Sequence, residues 1–305
     1  MVLIIGILIA GITAGSRLVR NSKLASAAQF TKSSDINSIP DMALWLESTI
    51  DNSFAVGSAT TYIDSLDVNN TSVVDVLKPD NLQKVARWND INPRIVAGLK
   101  KSAAQHLLAR QPQYLANGIN GLPALWFNSQ SGAGVCMMSL VDIDRIVMPK
   151  LSIFVVYRRN NVNTGTTQKL FGADNTGWDR QVIFEAFNGV SNGGGVAEIP
   201  NLSNYDKNQI FSYISNVGVA NGSKAYINGG SAVNFTDGSL SGESHHAITI
   251  AGNNNQSSSY ALDANCVDFS NIIIGEFIVF DRNLSNDEIS IVEKYLSKKW
   301  SIALK

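Results

Sequence analysis

Asp174, Asn175, Trp178 and Asp179 fall within six residues of one another. They combine oxygen ligands of the kind calcium takes with an indole face on which a sugar ring can stack. Asn253, Asn254 and Asn255 supply a run of amides on a second loop, and the two segments together offer a rim suited to binding. Signals for turnover are weaker. Asp142 and Asp144 would share one side of a strand, and with Arg145 beside them that side reads as solvent-facing. Glu276 stands inside an apolar run, where a carboxylate needs a partner or an edge. His245 and His246 are adjacent, so on a strand they face opposite ways, and His106 is far off in the chain. No serine sits in a GxSxG elbow, and no Ser-His-Asp or Cys-His assembly can be drawn. Gly193 to Gly195 is followed by neither GKS nor GKT and reads as a loop tip. The expected ligand-binding residues are therefore Asp174, Asn175, Trp178, Asp179 and Asn253, with no catalytic residue and no resident metal or cofactor beyond the calcium that such a loop can accept.

Cys136 and Cys266 are the two cysteines, too few for a disulfide framework and without metal-ligand spacing. Outside the cytoplasm they can pair, closing a long loop and stabilising by about 3 to 5 kcal/mol. Two separate buried thiols are the alternative. The chain of 305 residues is 45% hydrophobic, enough to bury one large core, and only 16% charged, the balance of a β-protein with long polar loops. A formal charge of −1 gives no electrostatic case for nucleic acid.

The elements that must position these residues are mostly strands. Ala43 to Glu47, Ala59 to Leu66, Val85 to Asp90, Pro123 to Phe127 and Gly134 to Leu140 carry strand composition. From Leu151 to Arg158 onward strands recur at short intervals: Gln168 to Ala173, Gln181 to Phe187, Ile210 to Val217, Lys224 to Ile227, Ser231 to Phe235 and Ala247 to Ala251. Asn228 and Gly229 between two of them form a hairpin signal, since both central residues of that turn need positive φ. Ile95 to Arg110 has the composition of a helix. Ile272 to Phe280 is nearly continuous in β-branched and aromatic residues, as in a strand covered on both faces. Ser285 then stands three residues before Glu288, a capping box flanked by Leu284 and Ile289 as a staple. Ile289, Val292, Leu296 and Trp300 make one helical stripe, and Lys294, Lys298 and Lys299 gather where the macrodipole favours cations.

At the other end, Val2 to Gly15 is an uncharged apolar run of fourteen residues, short of the about twenty that span a bilayer. Arg17, Arg20 and Lys23 follow it, and no proline intervenes before Pro40, which predicts one helix of about thirty residues, near 45 Å long. This apolar-then-amphipathic segment resembles the stalk of type IV pilin-like and pseudopilin-like proteins. It departs from them in lacking a basic leader, a glycine cleavage point and the following aromatic residue and glutamate, so a start upstream of Met1 is expected, with an uncleaved anchor or a degenerate signal as the alternative.

The closing segment, NIIIGEFIVFDRNLSNDEISIVEKYLSKKW, is similar to that of bacterial domains of the concanavalin A-like lectin and laminin-G superfamily. NGINGLPALWF, SIFVVY, GWDR and KAYING are similar to phrases those domains place on successive strands, over roughly Asp41 to Ile302. The resemblance implies an all-β, antiparallel two-sheet jelly-roll sandwich at 41–305, behind a pilin-like membrane or assembly helix at 1–33 and a linker at 34–40, with a short C-terminal helix. It makes Ile95 to Arg110 an irregular crossing loop, and it gives GWDR a packing role as the alternative to ligand binding. The glucanase branch carries Glu-x-Asp-x-x-Glu on one strand, and no such string occurs here. The expected protein is a bacterial envelope or surface protein whose sandwich binds glycans or surface proteins without catalysis, held at the inner membrane by its helix and open to pilin-like neighbours. A polysaccharide hydrolase or lyase on the same fold, and a structural minor pilin or pseudopilin, are the alternatives.

Overall fold

The computed structural model describes residues 2–57, 73–129, 134–160, 167–173, 180–184, 187–191, 196–238, 247–254 and 266–305. The predicted strand at Ala59 to Leu66, the loop tip at Gly193 to Gly195, and His245 and His246 lie outside these.

Two antiparallel sheets carry the described fold. The first has Asn271–Phe280 at its centre. One edge of this strand pairs along nearly its whole length with Lys150–Arg159. The other edge pairs with Leu122–Asn128 through Asn271 to Ile274, then with Met42–Glu47 through Glu276 to Phe280. The change of partner falls at Gly275, and the indole ring of Trp300 occupies the place where a Cβ there would stand. Outward from Lys150–Arg159 follow Asn208–Asn216, Ser223–Ile227 and Val233–Phe235, and Gln113–Ile119 completes the opposite side. Among the described residues this sheet has eight strands.

The second sheet has ten, in the order Val196–Glu198, Gly189–Ser191, Gln181–Ile183, Lys169–Gly172, Ile248–Ile250, Met137–Ser139, Ala103–Ala104, Arg87–Trp88, Phe54–Gly57 and Val73–Val76. The two sheets meet face to face. Ile153, Val155, Phe277 and Val279 of the first share a buried apolar cluster with Phe54, Trp88, Phe171, Val182 and Ile250 of the second. Phe171 and Phe277 stand edge to face across it, with centroids 5.7 Å apart.

The opposite face of the eight-stranded sheet is covered as well. Helix α2 (Asn286–Trp300) lays Ile289, Val292, Leu296 and Trp300 against Phe154, Val156, Ile210 and Ile278. The central strand is thus buried on both faces, the environment its unbroken β-branched run implies. Ser285 accepts from the Glu288 amide and the Glu288 carboxylate accepts from the Ser285 amide, which satisfies two free donors of the first turn. Asn228 and Gly229 have φ of 53° and 62°, as the hairpin requires.

Helix α1 (Val2–Lys32) is continuous, and its last turns dock on the sandwich through buried Ala27 and Thr31. No helix of the described residues is long and apolar enough to cross a membrane. The predicted linker is no free tether: Ile36 is fully buried and Ile39 nearly so, within the cluster beneath α2, and Arg94 bonds the carbonyls of Asn37 and Ser38 at 3.0 and 2.8 Å.

Three readings need correction. Ile95 to Arg110 is not one helix but two short 3-10 turns, Ala97–Leu99 and Leu108–Arg110, on either side of the strand Ala103–Ala104. Strand pairing of that small dipeptide with Arg87–Trp88 and Met138 overrides its helix propensity. Asp142 and Asp144 lie in turns rather than on a strand, accepting from the amides of Asp144 and Ile146 at 3.0 and 2.7 Å. Arg145 is buried, its Nε 3.1 Å from Asp237.

Candidate functional site

In a half-buried sheet, successive side chains point to opposite faces. Along the ten-stranded sheet, Trp88, Ala103, Met137, Ile248, Phe171, Val182 and Val190 point into the core. Their neighbours form a continuous outward row: Arg87 opposite Ala104, Ala104 opposite Met138, Met138 opposite Thr249, Thr249 opposite Gly172, Gly172 opposite Gln181, and Gln181 opposite Ser191. From Thr249 to Ser191 this row is neutral and rich in hydrogen-bonding groups, but it is covered: Thr249, Gln181 and Ser191 are 1%, 1% and 0% exposed.

A strap of chain crosses the row. Ala251 leaves the sheet with φ of 61°, Asn253 and Asn254 pair with Val267 and Cys266, and the return runs through Asp268 to Ser270. Ser270 donates its hydroxyl to the Lys169 carbonyl at 2.7 Å, and Lys169 pairs with Asp268 at 2.8 Å. Cys266 is joined by a disulfide to Cys136. Around the disulfide lie Met138 and Ala247, with the Arg110 guanidinium 5.7 Å from the Phe269 ring centroid. These contacts fix the strap against the outer face.

Asn253 lies at the centre of this arrangement. Its side chain occupies the space directly over Gly172, where a Cβ would stand, and it is 2% exposed. The absence of a side chain at Gly172 is what lets the amide reach the sheet. Beside it the hydroxyl of Thr249, 1% exposed, has no hydrogen-bond partner among the described residues.

Asp174, Asn175, Trp178 and Asp179 lie outside the described residues. The chain enters their loop from Ala173 and leaves it at Arg180, where the Ala173 amide bonds the Arg180 carbonyl at 3.1 Å. The strands that carry Gly172 and Gln181 thus flank residues 174–179 in the chain. Arg180 itself is not a rim residue. Its guanidinium is buried, donating to the Ile143 carbonyl at 2.7 Å, the Met148 carbonyl and the Ser215 hydroxyl, 3.7 Å from Asp237.

The carboxylates nearest to one another in the core are not placed for hydrolysis. Glu47 and Glu276 converge on Lys299, whose Nζ contacts Glu47 and lies 2.8 Å from Glu276. Trp45 and Trp300 both donate to Glu276 at 2.7 Å, Tyr295 donates to it at 2.8 Å, and Lys299 also reaches Thr31 of α1 at 2.8 Å. The side chains of all three ions are 0% exposed, so the group is sealed from any substrate. Burial, then the two carboxylates, push the Tyr295 phenol well above its ordinary range, so it stays a neutral donor. Glu276 is a paired structural carboxylate. Lys299 belongs to the core rather than to the exposed cation cluster at the helix end. No group of three or more metal-ligating side chains occurs among the described residues.

Gly172, Thr249, Gln181 and Ser191 were missed by the sequence reading. Their signal was present, since each is a small or polar residue next to an apolar strand position. Chain order gives no hint that register would bring them side by side.

No protein-family model matches the chain, and no curated protein does. Among solved structures it is similar to the botulinum neurotoxin serotype C1 binding domain, with a TM-score of 0.46 and 15% identity over 86% of this chain and 53% of that one. The binding domain of Paraclostridial Mosquitocidal Protein 1 gives 0.45 and 13% over 81% and 52%. Trypanosoma rangeli sialidase in complex with sialic acid gives 0.38 and 12% over 85% and 33%. The chain spans about half the length of the toxin domains it matches. Likeness of this degree assigns neither a family nor a ligand.

Proposed function

We propose that the loops at the rim of the ten-stranded sheet, seated over its enclosed polar row, form a non-catalytic carbohydrate-binding site. The sandwich that bears it is a concanavalin A-like jelly roll held outside the bacterial cytoplasm by α1. The observation that carries this reading is the polar, uncharged framework beneath the rim, the row Thr249, Gly172, Gln181 and Ser191 with the Asn253 amide seated over Gly172. Sugar hydroxyls call for neutral donors and acceptors held in place, and a disulfide-pinned strap holds these without the entropy cost of ordering them on binding. Asp174, Asn175, Trp178 and Asp179 supply the rim chemistry from the adjoining loop, with calcium as an optional bridge. A buried disulfide supports a location outside the reducing cytoplasm.

The test is a glycan array with the full chain, in calcium and in chelator. Truncation at Ser33 is avoided because it would remove Ala27 and Thr31 from the core. Binding of a defined glycan, weakened at least about tenfold by Asn253→Ala in a variant that stays folded at the assay temperature, is the expected result. Failure to bind any glycan in either condition, or turnover of a polysaccharide, would overturn the reading.

A further inference from the structure

Away from that face, between the docked turns of α1 and the last turn of α2, lies a groove of about 570 Å³. One wall is apolar: Leu18, Val19 and Phe30 are 70%, 71% and 42% exposed. The remainder is hydroxyl and lysine, with Ser22, Ser26 and Lys298 on the lining and no carboxylate among the lining residues. Lys23 is held at the wall by donating to the Asn120 carbonyl.

We infer that this groove receives an anionic phospholipid of a bilayer surface, its acyl region against Leu18, Val19 and Phe30 and its phosphate against Lys298 and the neighbouring cations. The charge pattern favours this occupant. Helix α1 contains no acidic residue, and its uncharged stretch Val2 to Gly15 runs directly into Arg17, Arg20 and Lys23. Arg17 and Arg20 are exposed. An apolar end followed by a cationic collar fits the boundary between acyl chains and anionic headgroups. A second copy of the chain would bring the same collar against this one, and like charges oppose that pairing. A free phosphate has no use for the apolar wall. The inference deepens the proposal that α1 tethers the sandwich, and it concerns surfaces separate from the strap and its polar row.

The experiment is co-sedimentation of the full chain with vesicles of phosphatidylglycerol and phosphatidylcholine, compared with vesicles of phosphatidylcholine alone. The inference expects a clear preference for the anionic vesicles that weakens with salt. Lys298→Ala should lower anionic-vesicle binding about fivefold and Arg17→Ala/Arg20→Ala/Lys298→Ala about a hundredfold. Ser22→Trp, at an exposed position that fills the groove, should lower it about tenfold at an unchanged melting temperature. Equal binding to both vesicle types would overturn it, as would displacement by inorganic phosphate at an ionic strength where sodium chloride leaves binding intact, or a dimer in the absence of vesicles that Ser22→Trp dissociates. Glycan binding measured on the same variants should not change, so this inference and the carbohydrate reading can fail independently.

Discussion

Lys299 shows how far a single residue can stand from its apparent role. By position it is one of three lysines at a helix C-terminus, yet its ammonium is fully enclosed between Glu47 and Glu276. Replacing it with methionine leaves two buried carboxylates facing each other, and a loss of about 3 to 5 kcal/mol is expected in denaturant unfolding. A loss below about 1 kcal/mol would show that the pair is solvated in a way this structure does not contain. Glu276 could be read in advance as a carboxylate needing a partner, because it interrupts an apolar run. Its partner could not, because a lysine near two other lysines gives no signal of burial. Asn253 was legible as polar and on a loop. That it sits over Gly172 depends on a strap closed by Cys266, thirteen residues further on, and on strands drawn from distant parts of the chain.

Individual elements were more legible than their contacts. The final strand, its turn and α2 follow from local rules, namely β-branched density, a capping box and a helical stripe. Here a pH prediction has a definite sign. The Arg282 guanidinium beside Glu288, opposed in part by desolvation and aided by the cap hydrogen bonds, holds its carboxyl down at about 2, below the ordinary 4.5. A depressed acid contributes stability that is present above about 4.5 and lost as the pH falls towards 2. Glu288→Gln should therefore flatten that part of the melting curve against pH. Ser285→Ala should cost about 1 kcal/mol at neutral pH. A Glu288→Gln profile parallel to the parent between these limits would contradict the assignment. Asp90 and Glu293 act in the opposite sense, since burial raises both, so their contributions fall as the pH rises. Ile95 to Arg110 misled because alanine-rich composition describes a propensity, while the small side chains there serve strand pairing beside Trp88. The packing of the 34–40 segment was illegible for a similar reason: Ile36 and Ile39 are few, but α2 leaves a place for both.

At the scale of the molecule, periodicity and turn spacing made the mostly-β architecture legible, with a helix at each end. The strand order was not, because each sheet gathers segments from distant parts of the chain, and no local pattern encodes that. The disulfide between Cys136 and Cys266 spans 130 residues and ties the strap to the sheet. Cys136→Ser/Cys266→Ser should destabilise by about 2 to 5 kcal/mol and weaken glycan binding, measured by chemical unfolding and by titration of one bound glycan. The proposed sugar site at the sheet rim and the proposed lipid site at the α1 collar lie on separate surfaces. Calorimetric titration of the best array glycan into the parent chain and into Thr249→Val/Asn253→Ala tests the first assignment most directly. Affinity should be reduced at least about tenfold in the double variant, measured at a temperature where it is fully folded. Equal affinity in the two proteins would place the sugar elsewhere and contradict it.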